Sequence, residues 1–338
     1  MDDVKTRDPR GEIRDDAETV ALMDYPDSTE EIPVLDFAPY LNGEPGGREK
    51  VAEQLREITK TVGFFYLKNH GIPQSLIDDA FVQNRRFHAL PAEVKAEVPW
   101  TEREGYKLGY QPYGKDEDYR PEANVNILKD VRPNLLGKFT FVHRRENGKP
   151  PVSFWPKNLP GFRETMEAYG EAVEKLGRSF LPLWCVSLKL PLDYFDAFFK
   201  EPHLQPSLLH YPPQKEIGNR QYGISPHTDN AMMTFLAQAD VPGLAVRMPS
   251  GHWRAVEIKP GTLLVNTGNS LVRWTNEEYL STKHRVLNNN PVDRYSIPVF
   301  FGPSNETVVE VLPTCQGPGN PPKYEPITYG DLRKWYYG

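Results

Sequence analysis

The sequence predicts a mainly β fold with α-helices, a barrel of short antiparallel strands supported by helices on its outer face. Three observations point there. Short β-favouring runs between residues 222 and 302 are separated by Pro, Gly and Asn turns. A long apolar stripe at helical spacing precedes them. The chain carries 33 prolines together with 12% aromatic residues, a balance that suits a turn-rich packed fold rather than disorder.

Along the chain, residues 1–30, rich in Asp, Glu and Arg, read as a mobile or surface-wrapped extension. A helix over Glu49–Thr61 places Val51, Leu55 and Ile58 on one face and stops before Gly63. A further helix covers Gln74–Ala89. Trp100–Asn134 then loses periodicity among Gly, Tyr, Asp and Pro, and Lys138–Val142 resumes a strand pattern. From Phe162 the apolar residues Phe162, Met166, Tyr169, Val173, Leu176, Phe180 and Leu183 recur at alternating steps of four and three, marking a long amphipathic helix. A coiled-coil seam would show the same spacing, but Pro182 and the single occurrence favour packing against the outside of the barrel. Tyr222–Asp229 reads as a strand ending near His227. Met232–Ala237, Gly243–Arg247, Trp253–Ile258, Thr262–Asn266 and Asp293–Gly302 follow as strands. Residues 31–150 therefore form an N-terminal α/β region and 151–338 a helical support plus β core, together one compact unit.

The 338 residues are 38% hydrophobic, enough for a sizeable core. A net charge of −6 with dispersed Lys and Arg gives no basis for nucleic-acid binding. Cys185 and Cys315 are the only cysteines, which excludes a disulfide framework and zinc-site spacing; Cys185 reads as a small buried hydrophobe. No apolar run suits a signal peptide or a bilayer span, so no membrane partner is expected and the cytoplasm is the default location. Nothing in the sequence indicates an oligomeric state.

The chemistry concentrates at His227-Thr228-Asp229 and a further histidine at 284. Alternate residues of a strand share a face, so His227 and Asp229 can grip one ion while Thr228 points away. The intervening strands can bring His284 back across the barrel. Two imidazoles and a carboxylate on one side of a metal leave positions open for oxygen and a co-substrate, the arrangement of non-haem Fe(II) oxygenases. With eight histidines in the chain, the tripeptide alone suits a surface or core role equally well. Arg294-Tyr-Ser296 adds to it. Alternation puts the guanidinium and the hydroxyl on one strand face, where the planar fork of Arg can clamp a carboxylate. That carboxylate is either an internal Asp or Glu or a diffusible acid.

These segments join Ile32-Pro-Val-Leu-Asp36, Gly63-Phe-Phe-Tyr-Leu-Lys-Asn-His-Gly-Ile-Pro73, Leu209-His-Tyr-Pro-Pro213, Val241-Pro-Gly-Leu244 and Thr282-Lys-His-Arg-Val286. In this order, from about residue 32 to 302, the chain resembles the isopenicillin N synthase-like family of Fe(II)- and 2-oxoglutarate-dependent oxygenases. Pro322–Gly330 is similar to the family's C-terminal helix region. The resemblance implies a double-stranded β-helix (jelly-roll, cupin-like) barrel. It implies iron at His227, Asp229 and His284, with Arg294 and Ser296 holding the distal carboxylate of 2-oxoglutarate and Tyr211 adding a hydrogen bond. It further implies a dioxygenase that uses O2 to oxidise a C–H bond of a small-molecule substrate of secondary metabolism, releasing succinate and CO2. Hydroxylation is the family's commonest outcome, with desaturation and cyclisation as others.

Two positions depart from the family pattern. Many relatives read Asn-Tyr-Tyr-Pro where this chain has Leu209-His-Tyr-Pro212, so only Tyr211 carries over. Relatives usually have Asp in the middle of Gly268-Asn-Ser270, where Asn269 must substitute a neutral hydrogen bond. For substrate binding, the family places its mouth in the region of Gly105–Tyr110, which makes Tyr106 and Tyr110 candidates, with loop packing as the alternative. Met232, Phe235, Phe300 and Phe301 read either as the wall of a cavity for an apolar, polycyclic or aromatic molecule or as ordinary core. On sequence alone, two other functions stay open. One is an isopenicillin N synthase-type oxidase that works without 2-oxoglutarate; the other is a non-catalytic barrel that captures a small acid with Arg294.

Overall fold

The computed structural model describes residues 30–103, 105–114, 134–143, 153–214, 222–287 and 291–337. The expected N-terminal extension, apart from Glu30, lies outside the described residues, as does the 115–133 part of the aperiodic stretch.

The described chain enters through β1 (Val34–Asp36), a single-turn α1 (Ala38–Leu41) and α2 (Gly47–Thr61), whose buried face contains the expected Val51, Leu55 and Ile58. Gly63 has φ +70° and returns its N–H to the Ile58 carbonyl, a left-handed helix terminus that glycine adopts without a Cβ clash. This turn launches β2 (Phe64–Lys68), which pairs in parallel with β1. α3 (Gln74–His88) has the predicted extent, and a one-turn α4 (Ala92–Lys95) follows. β3 (Thr101–Arg103) and β4 (Tyr106–Gln111) pair antiparallel, with Gly105 between them at φ +74°. Gly105–Tyr110 is thus mostly strand, not the irregular stretch its composition suggests. β4 gains a second neighbour in β5 (Gly137–Thr140), and such long-range pairing overrides local propensity.

α5 (Phe162–Ser187) buries every residue of the predicted stripe. The β core follows: β6 (His203–Tyr211), β7 (Ile224–His227), β8 (Met233–Gln238), β9 (Leu244–Arg247), β10 (Trp253–Ala255) and β11 (Thr262–Thr267). After a short α6 (Asn269–Trp274) come β12 (His284–Val286), β13 (Arg294–Gly302), the small pair β14 (Val308–Val309) and β15 (Ile327–Thr328), and α7 (Tyr329–Tyr337).

Two sheets face one another. The larger has nine strands in the order β1-β2-β11-β8-β13-β6-β5-β4-β3, and the smaller has four in the order β10-β9-β12-β7. Phe64, Tyr66 and Leu264 of the larger sheet share one buried cluster with Leu244, Val246 and Val286 of the smaller. Among the described residues the expected barrel is therefore a two-sheet jelly roll, not one continuously hydrogen-bonded cylinder. β1 and β2 extend one edge of the core sheet and β3 to β5 the other, so the N-terminal region and the β core share a sheet. The outer face of the larger sheet packs on α5, α3 and α2 through Phe65, Leu67, Leu208, Phe235, Val265 and Val299. Each such side chain stabilises the fold by about 1.5–3 kcal/mol on burial. The inner face carries the apolar cluster shared with the smaller sheet and, beside it, the buried polar residues Thr234, Asn266, Arg294 and Ser296.

Candidate active site

His227 is the last residue of β7 and His284 the first of β12, and the antiparallel register makes them direct cross-strand partners. Such pairs hold their side chains within contact, and the two imidazoles lie 4.2 Å apart between ring centroids. Asp229 sits beyond the end of β7, in the following loop, so strand alternation does not deliver it as expected. Asn269 does: its backbone N–H donates to the Asp229 carbonyl at 2.7 Å, and its side chain donates to Thr228 and Asn230 at 3.1 and 2.9 Å. The neutral bonds expected of Asn269 thus hold the loop that carries the carboxylate.

Asp229 Oδ1 lies 3.7 Å from His227 Nε2 and 3.6 Å from His284 Nε2. These separations exceed a hydrogen bond but suit three ligands around one divalent ion with bonds of about 2 Å. Each Nδ1 donates to a backbone carbonyl, His227 to Ser225 at 2.8 Å and His284 to Thr282 at 3.1 Å. Those bonds set the tautomer and leave both Nε2 lone pairs for a metal. Asp229 Oδ2 accepts from Thr234 Oγ1 at 2.5 Å and Asn266 Nδ2 at 2.8 Å, which frees Oδ1. Burial and the neighbouring His227 push His284 down to about 4, so it is neutral near pH 7. Burial raises Asp229, but the two imidazoles and the Asn266 and Thr234 hydrogen bonds outweigh it and hold the carboxyl below its ordinary value. Both groups are therefore in the protonation state a metal ligand requires. His227 has 35% of its side chain exposed against 6% for Asp229, so the triad opens on the His227 side.

Arg294 and Tyr211 face each other across β13 and β6, and Ser296 shares their face of the sheet. The Arg294 guanidinium lies 4.6 Å above the Tyr211 ring. Only 1% of Arg294 is exposed, yet its Nε and one Nη have no hydrogen-bond partner among the described residues. Burial lowers its pKa, partly offset by the Tyr211 hydrogen bond. A buried guanidinium with N–H groups left over is costly unless an anion completes it. The internal Asp or Glu partner left open by the sequence is not found among the described residues.

The expected substrate residues fare differently. Tyr110 packs between Phe87 and the Lys95 ammonium on the helix side of the sheet. Met232 and Phe235 are fully buried in the same helix-side core. Phe301 stacks on Phe199 at 5.0 Å and abuts Gly177 of α5, where a Cβ would come within 2.9 Å of its ring. Tyr106 stacks on His203 at 5.1 Å beneath the Arg333 guanidinium, where α7 docks. Each of these side chains is engaged in packing contacts, and for Tyr110, Phe235 and Phe301 strand alternation turns them to the helix side. Phe300 is the exception: it pairs with Thr234, the residue that bonds Asp229, and so lies on the triad's face. Sequence parity with Arg294 and Ser296 carries that signal. The sequence does not single out Thr234 and Asn266, although both stand on inward positions of their strands.

Two family models match, a non-haem dioxygenase N-terminal model over residues 32–158 and the 2OG-Fe(II) oxygenase superfamily over residues 201–303. A 2-oxoglutarate-Fe(II) type oxidoreductase, hxnY of Emericella nidulans, is 32% identical over 90% of this chain and 89% of its own length. Homoarginine-6-hydroxylase of Oryza sativa is 30% identical over 83% and 87%. The crystal structure of a full-length Neurospora crassa protein in complex with alpha-KG matches with a TM-score of 0.79 at 29% identity, covering 91% of this chain and 96% of that one. The chain belongs to the 2OG-Fe(II) oxygenase superfamily, whose members require Fe(II), 2-oxoglutarate and O2.

Proposed function

We propose that His227, Asp229 and His284 hold Fe(II), that Arg294, Ser296 and Tyr211 hold the distal carboxylate of 2-oxoglutarate, and that the enzyme hydroxylates a C–H bond of a small metabolite. The observation that carries this reading is the pairing of a convergent triad, its donor atoms within 4.8 Å of one another, with a buried arginine that has N–H groups to spare. When bound, Fe(II) supplies the oxidative decarboxylation of 2-oxoglutarate by O2 to succinate and CO2, coupled to insertion of the second oxygen atom into the substrate C–H bond.

The chain's own residues bind and orient. The carbonyls of Ser225 and Thr282 keep the imidazole rings turned inward, and Thr234 and Asn266 restrain the carboxylate. Arg294 fixes one end of the co-substrate through a fork that no lysine reproduces. The cluster between the sheets keeps water from the clamp. Phe300 offers an apolar surface beside the triad, which supports a substrate with an apolar or aromatic face. The homoarginine hydroxylase relative supports small-molecule hydroxylation. A cytoplasmic setting, with neither membrane nor nucleic-acid partner, is proposed on the net charge of −6 and on the fact that no described helix is long and apolar enough to cross a membrane.

Anaerobic iron titration followed by a succinate-release screen across a metabolite library tests the proposal. One Fe(II) per chain is expected, with both binding and turnover lost in Asp229→Ala, because two remaining ligands cannot hold a labile divalent ion. Full activity of that variant, or substrate oxidation with no requirement for 2-oxoglutarate, would overturn it.

A further inference from the structure

The reverse side of the strands that carry the co-substrate clamp holds a polar cluster that the proposed function does not use. There the rings of His210 and Tyr295 stack at 4.6 Å. The imidazole of His210 is engaged at both nitrogens: Nε2 lies 2.5 Å from Asp293 Oδ1, and Nδ1 is hydrogen-bonded to the Tyr113 hydroxyl. From α3, Asn84 donates to the carbonyls of Leu209 and Ser296 at 3.3 and 3.4 Å, and His88 Nε2 bonds the Leu208 carbonyl at 3.1 Å. All these contacts fall on residues 208–211 and 293–296.

The covalent neighbours make the arrangement informative. Tyr211 follows His210, Arg294 follows Asp293, and Tyr211 and Arg294 are register partners on the opposite face. The Asp293–His210 bond therefore spans the same two strands as the clamp, one residue away on each. His210 is also one of the positions where this chain departs from the family pattern, and the neighbouring departure, Leu209, leaves the clamp without the amide many relatives have. Fewer donors make the placement of the remaining ones matter more, since hydrogen bonds weaken steeply off-axis.

We propose that Asp293, His210 and Tyr113 are positioning residues for co-substrate binding, setting the separation of Tyr211 and Arg294 across β6 and β13 and thereby the affinity for 2-oxoglutarate. This rests on the clamp role proposed above. Neutral His210 donates from Nε2 to Asp293 and accepts from Tyr113 at Nδ1. Burial favours that neutral form, while the Asp293 carboxylate acts in the opposite direction.

The test measures 2-oxoglutarate binding to the anaerobic Fe(II)-loaded enzyme by calorimetry and by the rise in Tm, alongside KM and kcat from succinate release. His210→Phe keeps a ring against Tyr295 but loses both hydrogen bonds, whereas His210→Gln still reaches Asp293. His210→Phe is expected to raise Kd roughly tenfold, the scale of one hydrogen bond to a charged group, with the loss in KM rather than kcat and with iron stoichiometry at the wild-type value. His210→Gln should restore most of the affinity. An unchanged Kd in folded His210→Phe, a parallel loss of iron, or no recovery with Gln overturns the proposal. If His210→Phe does not fold, Tyr113→Phe decides: a Kd raised about threefold, as for one neutral hydrogen bond, supports the relay and an unchanged Kd overturns it. Arg294→Lys is the control: if it too leaves Kd unchanged, the clamp assignment itself has failed, whereas weakened binding there with unchanged His210→Phe defeats the relay alone.

Discussion

The larger sheet sends the same strands to two different tasks. On the face turned to the smaller sheet, β13 presents Arg294, Ser296 and Phe300, while Thr234 and Asn266 of the adjoining strands restrain Asp229. On the face turned to α5, the same strands present Val299, Phe301, Phe235 and Val265 to an apolar core. Because side chains alternate with a period of two, a shift of one position exchanges a role in chemistry for a role in stability. Apolar burial secures the sheet from both sides, and on the inner side polar groups such as Arg294 stand beside the apolar cluster shared with the smaller sheet.

The adjacent pair Phe300 and Phe301 gives the sharpest way to break this comparison. Phe301→Ala opens a cavity under α5 and should cost about 3–5 kcal/mol of stability, read by urea unfolding, with 2-oxoglutarate affinity of the folded protein unchanged. Phe300→Ala should cost clearly less stability but lower substrate oxidation relative to succinate formation. A larger stability loss at Phe300 than at Phe301 would mean that the two faces are not divided in this way.

Arg294→Lys comes next in size. Keeping the charge while losing the fork should weaken 2-oxoglutarate binding by about 1.5–3 kcal/mol, the worth of a hydrogen bond to a charged group. Calorimetry on the iron-loaded protein reads this directly, and unchanged affinity would mean that the inner-face arginine serves another anion.

An effect confined to acid pH, and absent near neutrality, lies on the outer face. Burial, aided by the nearby His210, pushes His88 down to about 3. Between that value and its ordinary value of about 6.5, the unfolded chain binds a proton that the folded chain rejects. Stability contributed by neutral His88 is therefore full above the unfolded value and is lost as pH falls through the window toward the folded one. His88→Gln keeps a donor for the Leu208 carbonyl and removes the titration, so the acid-side slope of unfolding free energy should flatten. An identical slope in the variant would assign the acid sensitivity elsewhere.

Much of this division is legible in the residues themselves. The stripe from Phe162 to Leu183 reads as a helix because one face is buried along its whole length, and Arg294-x-Ser296 reads as a clamp because alternation alone aligns it. Asp229 reads as a strand residue and is not one, because what positions it is remote: Asn269 and Ser270 of α6 hold the 228–230 loop through side-chain bonds that no local pattern announces. Gly105–Tyr110 reads as irregular for a similar reason, since its strand depends on pairing with β5. Phe300 and Phe301 are chemically identical neighbours, and only counting from Arg294 separates them.

The close approach of Phe301 to Gly177 has an evolutionary consequence. With Phe at 301 no side chain fits at 177, so the two positions, one on a helix and one on a strand, share a single allotment of volume. A side chain added at 177 alone must displace the Phe301 ring or α5, whereas truncating Phe301 alone leaves a cavity between them. In descendants that keep this docking, a side chain gained at 177 must be matched by volume lost at 301, and the two sites should co-vary in size although they are far apart in the chain. Selection there acts on the helix-to-sheet distance, and the identities of both residues follow from it.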